Sequence, residues 1–407
     1  MARAHGVGRP LLLQGLSMFD TPAPLKLHTR SIQPVNEEII ARAAEFADRH
    51  LRPNAQRWED EQVQPAEVLR EAISFIAGQA IPRELGGQGG NLTTQVRIYE
   101  EMAKRDMGFT SGLAVHCNVT AAVSLCPNEN LRAQWLPKLI SGEAIGAFLL
   151  TEPGAGSDAT AIVTAIDEDE DGYIINGEKA WVTNGTNADM LALFGQTEAG
   201  SGARGIAALC IDAHLPGITR TAPYNLSGSH AMGTTGMVFD KVRVGKETLA
   251  FAPGTAFKAA MTGIDIARLG VAAMCNGGLQ GGLEVAVNYA STRQTFGRRL
   301  MDHQGLEWSL ADAVTELEAS RALTFQAADR LDRQESPSVL IAHAKKMSAR
   351  IAFHGLGVAM QALGANGLRR EHVIGRHMNS ARVCEFMDGT GEVMNIVIGR
   401  DLAPRRK

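Results

Sequence analysis

The sequence predicts an α+β chain built in three successive parts: helical, then β, then helical. Three observations predict it. Apolar residues recur at helical spacing in the first third, short β-rich runs separated by turn residues fill the middle, and long stretches rich in Ala, Leu, Glu and Arg fill the last third. This is not the alternating βα pattern of a nicotinamide-binding sheet. Divided where the texture changes, the chain reads as an N-terminal extension (1–30), a helical N-terminal domain (31–145), a central β domain (146–250) and a helical C-terminal domain (251–407).

At 407 residues and 45% hydrophobic content the chain has room for a sizeable core and is globular in composition. Its 40 basic and 44 acidic side chains, a formal net charge of −4, give no electrostatic case for nucleic acid or a strongly anionic surface. No apolar run reaches the roughly 18–20 residues that span a bilayer. Five cysteines (Cys117, Cys126, Cys210, Cys275, Cys384) are scattered without metal-ligand spacing, as free thiols in a reducing compartment would be. In the extension, Arg3, His5 and Arg9 precede Leu11-Leu12-Leu13, with no acidic residue before Asp20. The apolar run is short and no small-residue cleavage site stands out, so the segment reads as unstructured or misassigned, with a transit peptide as the alternative.

In the first part, Ile39, Ile40, Ala43, Phe46 and Leu51 predict a helix over 37–51, and further helices follow at 66–79, 92–105 and 128–140. The loop Ile81 to Gly90 is glycine-rich, but no Gly-Lys-Ser/Thr follows, which excludes a P-loop. In the middle part, strands are expected at 161–166, 173–183, 189–196, 205–211 and 236–244, with Asp171-Gly172 and Asn176-Gly177 as hairpin signals. The last part predicts helices at 257–292, 303–333, 337–363 and 389–402, with Pro337 near a helix start.

Two pieces carry the most chemistry. Residues 148–158 form an apolar strand, Phe148-Leu149-Leu150, that ends in the turn Thr151-Glu152-Pro153-Gly154-Ala155-Gly156-Ser157-Asp158. Gly154 and Gly156 let backbone approach a ligand closely, while Thr151 and Ser157 supply hydroxyls. Some two dozen residues on, Lys179-Ala180-Trp181-Val182-Thr183-Asn184 offers a flat indole and another hydroxyl. Together they can wall and hydrogen-bond a flat heterocycle; alone, the first would be an ordinary tight turn.

These pieces resemble the flavin-binding segments of the acyl-CoA dehydrogenase family, and the resemblance extends from residue 37 to the C-terminus. It implies an acyl-CoA dehydrogenase-like α+β fold holding FAD, usually as a homotetramer. Phe148, Leu150, Thr151, Gly156 and Ser157, with Trp181, Val182 and Thr183, would face the isoalloxazine end. Arg293-Gln294-Thr295-Phe296-Gly297 ends one helix and His303-Gln304 opens the next. On its own this is a polar inter-helix turn, although a guanidinium such as that of Arg293 suits a diphosphate. The resemblance implies that Arg293, Thr295, His303 and Gln304 reach the FAD pyrophosphate, often across a subunit boundary. Gln361-Ala362-Leu363-Gly364-Ala365-Asn366-Gly367 alone reads as a helix C-cap; in the family, Gln361, Gly364 and Ala365 would approach the adenosine half. Typical members carry two glycines where Gly364 and Ala365 stand.

Gly263-Ile264-Asp265-Ile266-Ala267-Arg268 reads as a helix opening with an acid in its first turn. The family has Asp/Glu-x-x-Arg here, beside the thioester. Ala267 occupies the position where some branched-chain members place their base. The final motif, Met387-Asp388-Gly389-Thr390-Gly391-Glu392, stands where members usually read Tyr-Glu-Gly-Thr-x-Gln. The glutamate removes the α-proton of the thioester while hydride passes to flavin N5, so Asp388 is the matching catalytic base. Ser157, Asp265, Arg268 and Gly389 would touch substrate, and Thr390 and Glu392 the cofactor. Asp388 also reads as an N-cap for the following helix. Aspartate is one methylene shorter than glutamate, and a misplacement of about 1 Å can cost on the order of 100-fold in rate.

Asp106 is a second carboxylate near the family's acyl pocket, more simply a helix terminator or an ion-pair partner. Thr110 stands where glutaryl-CoA dehydrogenases carry an arginine, which disfavours a dicarboxylate substrate. His116 and Cys117 read as core residues. The leading expectation is a FAD-dependent α,β-dehydrogenase of an acyl-CoA or acyl-carrier thioester that passes electrons to an electron-transferring flavoprotein. The expected compartment is the bacterial cytoplasm, or the mitochondrial matrix if the extension is a transit peptide. No metal site is expected. Two alternatives stand beside it. Nitroalkane oxidases share the fold and use aspartate, but they carry an arginine near the position where Asn395 and Ile396 lie here. A scaffold that binds without turnover is the other.

Overall fold

The structure, a computed structural model, describes residues 34–402; the predicted extension over 1–30 lies outside the described residues. Six helices come first: α1 (Glu37–Phe46), α2 (Ala55–Glu61), α3 (Ala66–Ile76), α4 (Leu92–Ala103), α5 (Met107–Ser124) and α6 (Glu129–Ser141). Short polar side chains start four of them. Asn36, Asn91, Asp106 and Asn128 each accept the N–H three residues on, which satisfies an otherwise orphaned donor. The helix predicted over 37–51 is α1 running on into a π-type turn over Ala47–Leu51.

The middle part is an eight-stranded sheet of β1 (Gly146–Leu149), β2 (Ala165–Glu168), β3 (Gly172–Val182), β4 (Met190–Gln196), β5 (Ile206–Asp212), β6 (Ile218–Arg220), β7 (Thr235–Gly245) and β8 (Leu249–Phe251). Its spatial order is β6-β7-β3-β2-β4-β5-β8, and β1 runs parallel to β4 from the side. Asp171-Gly172 does turn β2 into β3. Asn176-Gly177 does not make a hairpin. It lies inside β3 at a bulge, where Gly177 takes a φ of 146° and a side chain would strike Thr164. The strand expected at 161–166 starts late, because Ala159–Ala161 forms a helical turn.

Five helices complete the chain: α7 (Ala256–Thr292), α8 (Gln304–Asp332), α9 (Ser338–Leu363), α10 (Val373–Phe386) and α11 (Gly391–Leu402). A two-residue ribbon, Gln294–Thr295 against Arg298–Arg299, joins α7 to α8. The 37-residue α7 is the axis of the molecule: α9, α8 and α10 pack on it, and so do α4 and α5 from the first part. Glycine permits this closeness. A Cβ at Gly277 would come within 2.1 Å of the Glu100 carbonyl, and one at Gly281 within 2.2 Å of the Lys104 carbonyl. The first and last helical parts therefore share one apolar core. A separate cluster joins the sheet to the beginning of α7 through Leu150, Ala155, Phe194, Ala256 and Ala260.

Candidate active site

The turn after β1 and the strand β3 are tied to each other. Lys179 donates to Glu152 Oε1 over 2.7 Å and to the Leu150 carbonyl over 3.0 Å, and the Ala180 N–H reaches the Thr151 carbonyl at 3.0 Å. Glu152 in turn accepts the N–H groups of Val163 and Thr164. Lys179 is buried, and desolvation lowers its pKa to about 8 even with a carboxylate beside it. Lys179 has no role that its sequence motif alone assigns. A lysine in an otherwise half-apolar strand was the available signal.

This anchoring leaves a shelf. Trp181 takes a φ of 58°, uncommon for a bulky residue, at a bulge in β3 that turns its indole outward. The ring is 59% exposed and rests on Tyr224 with centroids 4.5 Å apart. Thr183 is buried, and no described residue bonds its hydroxyl. Gly156 and Ser157 are exposed, and space is open around the Cβ position of both Gly154 and Gly156. Thr151 is half-buried. Phe148 and Leu150 lie mostly in the core, Phe148 against Phe194 at 4.9 Å, and Val182 is buried in the sheet. An exposed aromatic face, an unbonded hydroxyl and an open glycine turn make a shelf that fits a flat heterocycle.

A second cluster sits on α7. Asp265 and Arg268 lie within the helix, about three turns after its start, and not at its opening as the sequence suggested. Arg268 Nη1 donates to Asp265 Oδ1 at 2.8 Å, and Ser338 donates to Asp265 Oδ2 at 2.6 Å. Arg268 Nε donates to the main-chain carbonyl of Asp388 at 2.8 Å. Asp388 and Gly389 both adopt left-handed backbone, with φ of 53° and 98°, and carry the chain sharply from α10 to α11. The capping expectation is corrected: Thr390 Oγ1, not Asp388, accepts the Val393 N–H at 3.4 Å.

The Asp388 carboxylate accepts no hydrogen bond from a described residue. It is partly open to solvent yet surrounded by protein, and burial lifts its pKa from 3.8 to about 6, although Lys345 and Arg268 pull the other way. A carboxylate that is unengaged and titrates near neutrality is a chemically competent base. Asp106 is not. It caps α5 by accepting the Phe109 N–H at 2.6 Å and accepts from Arg376 Nε at 3.0 Å, both partners buried. His116 is likewise structural, donating to the Leu139 carbonyl and accepting the Gly146 N–H; burial lowers its pKa to about 4. Cys117 is buried, and its thiol pKa is pushed up to about 12 by desolvation.

The remaining predicted residues lie elsewhere. Arg293 and Gln304 are exposed at the corner between α7 and α8, where His303 Nε2 meets Thr295 Oγ1 at 3.2 Å. Phe296 beside them is 98% exposed. Gln361, Gly364 and Ala365 are exposed at the end of α9, and a Cβ at Gly364 would meet nothing. Thr390 is half-buried and Glu392 exposed at the start of α11. Counting 25 residues from Arg268 to Arg293 at about 1.5 Å each, the two lie about 37 Å apart along α7. One chain therefore brings Asp388, Gly389, Asp265 and Arg268 together and keeps Arg293 far from them. Among the described residues, no cluster of three or more His, Cys, Asp or Glu side chains can hold a metal ion, and no helix is long and apolar enough to cross a membrane.

The chain is similar to known proteins over nearly its whole length. It matches the acyl-CoA dehydrogenase N-terminal domain over residues 33–143, the middle domain over 147–242 and the C-terminal domain over 254–403. It is 32% identical over 381 residues to the short-chain specific acyl-CoA dehydrogenase of Megasphaera elsdenii, covering 91% of this chain and 98% of that protein. The structure of butyryl-CoA dehydrogenase from the same organism superposes with a TM-score of 0.88 at 30% identity, over 92% of this chain and 100% of that one. A chain in a structure of the electron transferring flavoprotein of Acidaminococcus fermentans matches at a TM-score of 0.89 and 30% identity, over 93% and 100%. The chain belongs to the acyl-CoA dehydrogenase family and is an acyl-CoA dehydrogenase, a flavoprotein oxidoreductase.

Proposed function

We propose that this enzyme removes the α-proton and the β-hydride of a short acyl thioester, with Asp388 as the base. One observation carries the reading: the Asp388 carboxylate is unengaged, raised toward neutrality by burial, and held by a turn that Arg268 anchors. The matching short-chain relatives support a short acyl group carried on CoA. A carrier-protein thioester remains the alternative donor.

The shelf fits FAD, with Trp181 against the ring, Thr183 and Ser157 as hydrogen-bonding groups, and Thr151 and Gly156 shaping the turn. FAD, when bound, accepts the two electrons that leave the substrate as hydride. The protein's own part is to place the α-carbon within hydrogen-bond reach of Asp388 and to exclude water from that carboxylate. Arg268 and Asp265 hold the base's turn beside the substrate, with Gly389 leaving room. Arg293, Thr295, His303 and Gln304, with Gln361, Gly364, Ala365, Thr390 and Glu392, would serve the phosphate and adenosine portion.

The span of about 37 Å between Arg268 and Arg293 exceeds what one dinucleotide reaches, so Arg293 and its neighbours Thr295, His303 and Gln304 would serve the FAD of a partner copy, whereas Thr390 and Glu392 lie beside Asp388. The exposed Phe296, Trp308, Leu368, Phe386 and Leu402 of the last part fit burial between copies, and we propose a homotetramer. The division at 31–145, 146–250 and 251–407 is proposed as the functional one, with FAD between the parts. Electron-transferring flavoprotein is the proposed acceptor, and the bacterial cytoplasm or the mitochondrial matrix the proposed compartment.

The test is anaerobic mixing of the yellow protein with a panel of acyl-CoAs and a nitroalkane. Bleaching by a short acyl-CoA in wild type, abolished in Asp388→Asn, supports the reading. Bleaching by the nitroalkane alone makes the enzyme an oxidase on the same fold, and a colourless protein that takes up no FAD makes it a binding scaffold.

A further inference from the structure

Lys345 lies in the first third of α9 and is 1% exposed, among the largest fully buried side chains of the described residues. Its ammonium donates to the Glu385 carbonyl at 2.7 Å and to the Gly389 carbonyl at 2.7 Å. These two carbonyls bracket Asp388. The carbonyl of Asp388 itself is taken by Arg268 at 2.8 Å. Three carbonyls within five residues thus point at two cations, and between them sits the pair of left-handed residues that carries the base. No carboxylate oxygen is within ion-pair distance of Lys345 among the described residues, although desolvating an ammonium costs several kcal/mol. Packing alone would be served better by Met or Leu. The α10 C-terminus is where a cation is favoured, and Lys345 also meets the orphaned Glu385 carbonyl there.

We propose that Lys345 is a positioning residue for Asp388: it pins both ends of the turn and so fixes where the carboxylate points. The proposal rests on Asp388 being the base. A short aspartate gains most from such a pin, because it has one torsion fewer than glutamate with which to find the substrate. The same ammonium holds the carboxylate in check electrostatically. The charged and titratable groups around the turn are Arg268 and Asp265, paired together on α7, Cys275 on α7, Cys384 and Glu385 on α10, and Glu392 on α11. Lys345 and, of these, Arg268 are the cations acting on Asp388.

The test uses the FAD-loaded enzyme and two substitutions, Lys345→Met, which keeps length and loses every donor, and Lys345→Gln, which keeps neutral donors. Two readouts are taken. One is the rate of anaerobic flavin bleaching per bound flavin at saturating short acyl-CoA. The other is the carboxyl titration of Asp388 by infrared difference spectroscopy, assigned with Asp388→Asn, which needs no substrate. Expected for Lys345→Met is a bleaching rate lower by about 100-fold with little change in substrate affinity, and a titration midpoint moved upward. Lys345→Gln should recover part of the rate while the midpoint stays high. Wild-type rate per flavin and an unmoved midpoint, in whichever variant folds and binds FAD, overturn the proposal. If wild type itself is not bleached by any acyl-CoA, the functional reading fails, and the titration alone then decides for or against the pin.

Discussion

Lys179 and Glu152 meet at 2.7 Å with both side chains buried, and this contact joins the turn after β1 to the strand that carries Trp181. Burial alone would raise the Glu152 pKa, but Lys179 and the hydrogen bonds from Thr164 and Val163 outweigh it and hold the group below 4.5. Its stabilisation is therefore present above that pH and lost as pH falls through the lowered value.

Breaking the pair should disable the shelf. Glu152→Gln leaves a buried ammonium without its carboxylate, which costs on the order of 3–5 kcal/mol. The expected result is a lower thermal midpoint together with a lower ratio of flavin to protein absorbance. The double substitution with Lys179→Met should restore part of the stability, since no uncompensated charge remains, but not the flavin content.

Asp388→Asn should abolish flavin bleaching and stabilise the protein. The folded-state pKa of about 6 lies above the ordinary 3.8, so the folded chain binds more protons between those values. Holding the carboxylate ionised above pH 6 therefore costs stability, of order 1–3 kcal/mol. The gain from Asn should be seen in thermal unfolding at pH 8 and shrink toward pH 4. In wild type, kcat/KM should rise as pH passes upward through about 6, where the base becomes ionised.

Asp106→Asn should do the reverse. This carboxylate is itself buried, caps α5 and pairs with Arg376, so both of its oxygens are already engaged. The expected outcome is a loss of stability of about 3–5 kcal/mol in urea unfolding, with the bleaching rate per bound flavin unchanged. A lost rate in a folded, flavin-loaded variant would return Asp106 to the list of bases.

Long periodic segments were readable from the sequence because burial of one face imposes their spacing; α8, α9 and β4 fall close to their expected bounds. The elements missed are of a different kind. In α5 nearly every residue is buried, so no polar face marks it, and α10 carries charges on several sides. The β6 and β8 strands span three residues each, too short for alternation to register. Asn176-Gly177 looked like a turn because the same permissive residues serve a bulge. Of the site, Trp181 and Thr183 were visible as an indole and a hydroxyl on one strand, and Asp388 through the resemblance of its motif to that of the acyl-CoA dehydrogenase family. Lys345 was not, since its partners are main-chain carbonyls with no sequence signature, although a lysine among Ile341, Ala342, Ser348 and Ala349 on the buried face of α9 was a usable sign.

Arg293 gives the sharpest test of a shared site. It is exposed, and about 37 Å of helix separates it from Arg268, so its loss should leave the fold of each chain intact. Arg293→Gln should therefore lower FAD content with little change in the unfolding of the flavin-free protein. Trp181→Ala should lower it as well, from the other end. If each site draws Trp181 from one copy and Arg293 from the next, a mixed dimer of the two variants holds one site with both defects and one with neither. Co-expressed under two affinity tags and purified through both, the mixture should regain flavin in half the sites of each mixed pair, or roughly a quarter to a third of all sites in a tetramer of two such pairs. Sites contained within a single chain would each carry one defect, and the mixture would stay as empty as its parents.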